Sequence, residues 1–221
     1  MQTHFEKELS DLKAKLLNMA SHAETSVRNA IQALTNRDYD LAKKVREDDV
    51  VIDRFEIEID DMAIHLLAKA PLASDLRLIA VAMKISQNLE RVGDEASKIS
   101  NRARELSQEP PLKLTLEIPK MATLALEMLK TALDSFVNSN AAAARALIPR
   151  DKEVDALNKQ IYRQLADHMI SNPDSITRCL SLMIVAKSLE RIADHATNVA
   201  EEAVYLCEAA DIRHTGKGAV A

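Results

Sequence analysis

Apolar residues alternate at spacings of three and four along one long stretch of the chain: Ala82, Ile85, Leu89, Val92, Ala96, Ile99, Ala103 and Leu106. The same alternation returns a hundred residues later at Leu182, Val185, Leu189, Ile192, Ala196, Val199, Ala203 and Leu206. A third run follows the same rule at Val45, Ile52, Phe55, Ile59, Met62 and Leu66. A period near 3.5 gathers these side chains on one face and predicts long helices packed nearly parallel or antiparallel. At about 1.5 Å per residue, a helix of about 33 residues is roughly 50 Å long. With the turn signals added, the pattern predicts helices over 6–35, 38–69 and 74–106, then over 119–137, 140–170 and 174–209. The polar turn "TNRD" separates the first two, and Pro71 is expected to stop the second.

The two sets of three are copies. Leu89 to Ser100 and Leu189 to Ala200 share five identities over twelve positions, and most other positions exchange like for like. At an offset of 102, Asp49, Ile52, Asp53, Phe55 and Ile59 match Asp151, Val154, Asp155, Leu157 and Ile161. Asn36-Arg37-Asp38 likewise matches Asn138-Ser139-Asn140. Self-similarity of this span marks a duplicated supersecondary unit. The Pro-rich segment "SQEPPLKLTLEIP", about 107–118, reads as the linker between a first bundle over 1–108 and a second over 109–221. The tail from 211 to 221 carries two of the three glycines and is expected to fray.

Composition narrows the class. Aromatics make up 3% of the 221 residues and there is no Trp, so a mostly helical chain is expected. A net charge of −5 argues against a nucleic-acid footprint, which needs clustered positive charge. The charged start "MQTHFEKELSDLKAKL" has no secretory apolar region, and the longest apolar runs are too short to span a membrane. Cys179 and Cys207 read as reduced residues, the latter on an apolar stripe or beside it. These signals together predict a cytoplasmic all-α protein.

The chemistry worth weighing lies in acids. With Leu89 at heptad position a, Glu90 falls at b and Asp94 at f, one turn apart, and Glu190 and Asp194 repeat the placement. On the second helix Asp49, Asp53, Glu56 and Asp60 form a stripe. In the second copy only Asp151 and Asp155 persist, because Asn158 and Tyr162 replace the other two. Outward acids on long helices are often merely solvated. Carboxylates at i, i+4 nevertheless repel by a few tenths of a kcal/mol, and both copies keep the pattern. If the second and third helices lie side by side, four carboxylates converge per bundle. An all-oxygen set of that kind suits hard cations such as Fe(III), Mn, Mg or Ca. His195 adjoins Asp194, but Glu95 stands there in the first copy; His22, His65 and His168 sit singly on helices, and His4 and His214 lie near the ends.

The duplicated "LER[VI][GA]D", the "ASDLRLIAVAMKI" after Pro71 and the terminal "DIRHTGKG" resemble the PhoU family, the phosphate-specific transport system accessory proteins of bacteria. The resemblance covers nearly the whole chain. It implies an all-α, internally duplicated fold of two tandem three-helix bundles, PhoU-like and akin to spectrin repeats. It also implies a cytoplasmic homodimer that represses the phosphate-starvation regulon and restrains phosphate uptake. The implied partners are a sensor histidine kinase and the ATPase subunit of the phosphate ABC transporter, with membrane contact only through them. Some members carry multinuclear metal clusters on the acidic motifs, so Fe, Zn, Mn or Mg are the cofactors implied. The positions carried over are Glu90, Asp94, Glu190 and Asp194, with Asp49, Asp53, Asp151 and Asp155 as second-helix partners. Ala193 departs from the motif's Gly, and the losses at Asn158 and Tyr162 imply a weaker or differently occupied second site.

Other classes fare worse. A di-metal oxidase in a helical bundle uses Glu-x-x-His pairs, and the chain contains none. It also lacks a P-loop, a nucleophile elbow and a Cys/His metal motif, so no enzyme is expected. The remaining alternative is a metal-buffering protein using the same acids. The apolar b and f positions Leu76, Ala80, Met83, Ile176, Leu180 and Met183 need a covering surface. The other bundle, a dimer mate or a partner helix would serve, unless the bundle's own core is wide enough to bury them.

Overall fold

The computed structural model describes residues 4–70 and 72–213. Pro71, expected to stop the second helix, and His214 with the rest of the tail lie outside them. Among the described residues there are seven α-helices: α1 (His4–Asn36), α2 (Tyr39–Leu67), α3 (Ala73–Ser107), α4 (Ile118–Val137), α5 (Ala141–Leu147), α6 (Asp151–Ser171) and α7 (Ile176–Glu208). Helices α1, α2 and α3 form one three-helix bundle, and α4, α5 with α6, and α7 form the other. The expectation of a duplicated all-α fold holds. One helix is corrected. The stretch 140–170 is not continuous, because a 3-10 turn, Ile148–Arg150, separates α5 from α6. Pro149 lies in that turn, where its ring and missing N–H would break an α-helical interior.

The heptad residues form the core. Ile85, Leu89, Val92 and Ile99 in the first bundle, and Val185, Leu189, Ile192 and Val199 in the second, have no exposed surface. The turn between first and second helices is built twice in one way. Arg37 (φ 56°) and Ser139 (φ 49°) both take the left-handed conformation. The following amide of each turn, Asp38 N and Asn140 N, donates 2.9 Å back to Ala33 O and Ser135 O, as a Schellman ending requires. Asp38 and Asn140 then cap the next helix, each side chain accepting from the amide three residues on, at 2.9 and 3.0 Å.

Helices α3 and α7 also pack against each other, joining the bundles. They run antiparallel, since Lys84 meets Glu202, Asn88 meets His195 and Asn198, and Glu95 meets Arg191. The residues at this seam lie at heptad positions g and c, not on the apolar b and f stripe. That stripe is only partly covered: Leu76, Ile176 and Leu180 are exposed, while Met83 and Met183 pack at the core's edge. Cys179 is buried and Cys207 exposed, both free, so Cys207 lies beside the apolar stripe. No helix among the described residues is long and apolar enough to cross a membrane.

Candidate functional site

Each acidic face is built where the second helix of a bundle lies along the third. Helix α2 packs on α3 and α6 on α7, so the i, i+4 acids of one helix face those of its neighbour. In the first bundle, burial raises the Asp49 carboxyl above its ordinary value, and repulsion from Asp53 and Asp94 adds to it against the nearby Ser97 hydroxyl. Burial raises Glu90 as well, with Asp94, Glu56 and Asp53 adding and Arg91 opposing. Glu56 is raised by burial together with Asp60, Asp53 and Asp94. The six acids Asp49, Asp53, Glu56, Asp60, Glu90 and Asp94 thus share one electrostatic neighbourhood. The ion pair between Arg91 and Glu90, at 3.4 Å, only partly offsets the excess.

The second bundle repeats the arrangement with fewer acids. Burial raises Asp151, with Asp155 and Glu190 adding to it. Asp194 keeps an exposed edge, yet burial of its carboxyl, with repulsion from Asp151 and Glu190, pushes it up to about 6 against the pull of Lys187. Lys187 forms an ion pair with Glu190; the first bundle has Gln87 at that position. All eight predicted residues therefore fall on the two faces, four to each. Six of them are half-buried rather than fully outward, the Glu190 side chain being 14% exposed, while Asp53 and Asp194 are exposed.

A difference in packing accompanies the departure at Ala193. A Cβ built on Gly93 would lie 2.8 Å from Ile52 Cδ1 and 3.1 Å from Asp49 Oδ1. In the second bundle Ala193 occupies the place of Gly93, and Val154, one carbon shorter, that of Ile52; both are fully buried. A carbon has moved from one helix to its neighbour, so the second-half motif keeps its spacing despite lacking glycine.

The donor chemistry of both faces fits a hard cation. The donors are all oxygen, several are held above their ordinary pKa, and Asp60 Oδ1 and Asp151 Oδ1 are buried without a hydrogen-bond partner. Among the described residues no three His, Cys, Asp or Glu side chains close into a coordination group as they stand. Thr197 Oγ1, beside the second face, is also buried without a partner, whereas the equivalent Ser97 hydroxyl lies by the Asp49 carboxylate.

The seam between α3 and α7 carries polar residues that apolar periodicity does not reveal. Glu95 is 4% exposed and pairs with Lys98 at 2.8 Å and Arg191 at 3.2 Å. Burial alone would raise its pKa, but Lys98, Ser188 and Arg191 hold it below the ordinary value. Glu202, 5% exposed, takes Lys84 at 3.1 Å and Arg213 at 3.3 Å. Tyr205 lies under Arg77 and Lys84, their cationic groups 5.6 and 5.5 Å from the ring centre. The signal for these residues is a second, largely polar heptad row, Asn88, Arg91, Glu95, Lys98 and Arg102, repeated as Ser188, Arg191, His195, Asn198 and Glu202, with Lys84 one step ahead in the first copy.

Fold and site together define a class: duplicated three-helix-bundle proteins with one carboxylate face per half and a polar seam joining the halves. The PhoU domain family profile matches residues 16–103 and 118–203, one match per bundle, and the chain belongs to the PhoU family. A phosphate-specific transport system accessory protein PhoU homolog of Pseudomonas aeruginosa is 39% identical over 214 residues, covering 96% of this chain and 88% of that protein. The phosphate-specific transport system accessory protein PhoU of Escherichia coli is 34% identical over 213 residues, with the same coverage, 96% and 88%. A crystal structure of PhoU from Pseudomonas aeruginosa superposes with a TM-score of 0.90 at 38% identity, covering 94% of this chain and 100% of that one. The phosphate transport system regulatory protein PhoU from Streptococcus pneumoniae gives 0.87 at 26%, covering 95% and 99%.

Proposed function

We propose that this protein is a cytoplasmic, non-catalytic adaptor that represses the phosphate-starvation regulon and restrains phosphate uptake. It does so, on this reading, as a homodimer linking the ATPase subunit of a phosphate ABC transporter to a sensor histidine kinase. The observation that carries the reading is a PhoU domain in each half, with relatives named as phosphate-specific transport system accessory proteins along nearly their whole length. The fold supports it physically. Long helices joined through α3 and α7 present broad surfaces, and exposed Leu76, Ile176 and Leu180 suit protein contact.

The acidic faces enter as regulatory sites for a hard divalent or trivalent cation. Asp49, Asp53, Glu90 and Asp94 would hold it in the first half, and Asp151, Asp155, Glu190 and Asp194 in the second. A bound Mn, Mg, Fe or Zn ion would supply positive charge between two helices whose carboxylates otherwise repel. Metal buffering through the same acids is the second reading, favoured by the unpartnered Asp60 and Asp151 oxygens.

The test is a phosphate-starvation reporter in a deletion strain grown in excess phosphate. Wild type is compared with the quadruple variant Glu90→Gln, Asp94→Asn, Glu190→Gln, Asp194→Asn, at matched expression. Deletion is expected to switch the reporter on, and only wild type to silence it. A reporter silent without the protein rules the adaptor reading out and leaves buffering. Silencing by the variant separates the signal from the acidic faces and moves it to the apolar stripe.

A further inference from the structure

We infer that the outer groove between α6 and α7 is a binding site for a small phosphate-class oxyanion, created when this half of the duplication reversed its charge. The groove, about 440 Å³, is lined by Asn158, Lys159, Tyr162, Arg163 and Lys187. Its charged lining residues are all positive. The equivalent positions in the first half are Glu56, Ile57, Asp60, Asp61 and Gln87. Over these five positions one copy carries three acids and the other three bases, with a direct exchange of acid for base at Asp61 and Arg163. Solvation alone does not call for such a reversal, since either sign would keep the surface wet.

The residue types suit a tetrahedral oxyanion. Arg163 offers a planar fork of donors that matches two phosphate oxygens, and Lys159 and Lys187 add mobile point charges. Lys159 and Arg163 both have exposed side chains. Neither has an ion-pair or hydrogen-bond partner among the described residues, whereas Lys187 is already tied to Glu190. Asn158 lines the groove with its Oδ1 buried and unpartnered, leaving the amide N–H groups as the donors available to an anion, and Tyr162, 39% exposed, also lines it. The groove is open and screened by water, so a dissociation constant on the order of 1 mM is expected. The carboxylates of the second acidic face begin one helical turn away, so a bound anion would partly neutralise Lys187 and alter its hold on Glu190.

The anion has two possible sources, free orthophosphate or the phosphate of a nucleotide. Amide chemical shifts of the isotope-labelled full chain would be followed while orthophosphate, and separately AMP, is added at constant ionic strength. Saturable shifts confined to about 158–163 and 186–188 are expected. The exposed pair Lys159→Ile, Arg163→Asp, which restores the first-half residues, should weaken them at least tenfold while leaving the rest of the spectrum in place. Tighter AMP binding that also moves the Tyr162 ring signals would identify a nucleotide as the source; equal or weaker AMP binding would identify orthophosphate. No saturable shift from either ligand, or shifts unchanged in the double variant, overturns the inference. The reporter experiment does not depend on this result, so either reading can fail alone.

Discussion

The two halves agree where they are buried and disagree where they meet solvent. Their left-handed turns and side-chain caps coincide position by position, and so does most of the third-helix core, Ile85, Leu89, Val92 and Ile99 against Val185, Leu189, Ile192 and Val199. Their outer faces do not: six acids line the α2–α3 face, while four remain on the α6–α7 face beside three bases. A duplicated fold ties its interior to one solution, because cores tolerate little change in volume or shape. The faces carry no such constraint and are free to take up different ligands. The Gly93–Ile52 and Ala193–Val154 exchange shows both sides of this: the packed volume is kept while the residues swap.

Equal cores should respond equally. Leu89→Ala and Leu189→Ala each remove a fully buried side chain and should each cost about 3 kcal/mol in chemical unfolding. A difference of more than about 1.5 kcal/mol between them would mean that the halves are not equivalent scaffolds.

The buried acids of the seam, Glu95 and Glu202, are held by ion pairs. Glu95→Ala strands Arg191 and Lys98 beside a buried gap and should cost about 2 to 3 kcal/mol, somewhat under a fully buried pair because its partners are half exposed. A broadened or two-step melt in this variant would show the bundles separating. A loss below about 0.5 kcal/mol would show that the seam adds little.

The exchange of one carbon makes a double-mutant test. Gly93→Ala should cost about 1 kcal/mol, its better helix propensity offsetting part of the crowding against Ile52. Adding Ile52→Val removes the Cδ1 in the way, so the pair should couple favourably by about 1 kcal/mol. Additive costs would contradict the volume argument.

The smallest effect concerns pH. The Asp194 pKa lies near 6, against an ordinary 3.8, so the folded state holds its proton more tightly than the unfolded one. Its contribution is fully present below the ordinary value and is lost as pH rises through about 6. Without added metal, Asp194→Asn should therefore raise stability at pH 7 by less than about 1 kcal/mol, given the residue's exposed edge, and change it little at pH 4. Glu95 has the opposite sign: its pKa is lowered, so its contribution is present above the ordinary glutamate range and fades as pH falls below it. Acid should loosen the seam while relaxing the faces, a divergence that thermal melts of Asp194→Asn and Glu95→Ala across pH would reveal.

Much of this was legible in the sequence. The heptad pattern and the repeat located α1 to α4 and α7, and the i, i+4 acids located both faces. The break at Pro149 was missed because the apolar pattern runs through it, although the proline itself was the signal. The α3–α7 seam was invisible to apolar periodicity since its residues are Lys84, Asn88, Glu95, Arg191, His195 and Glu202; only a search for a polar heptad row finds them. Of the surfaces expected to cover the b and f stripe, the other bundle does not, since it packs on the g and c face and leaves Leu76, Ile176 and Leu180 exposed.

The divergence of the two faces is tested most directly by Mn²⁺ equilibrium dialysis on the full chain, comparing wild type with Glu90→Gln/Asp94→Asn and with Glu190→Gln/Asp194→Asn. The six-acid face should supply the tighter sites, so the first variant should lose them and the second should keep them. Loss of the tighter sites in the second variant, or wild-type binding in both, would contradict the account.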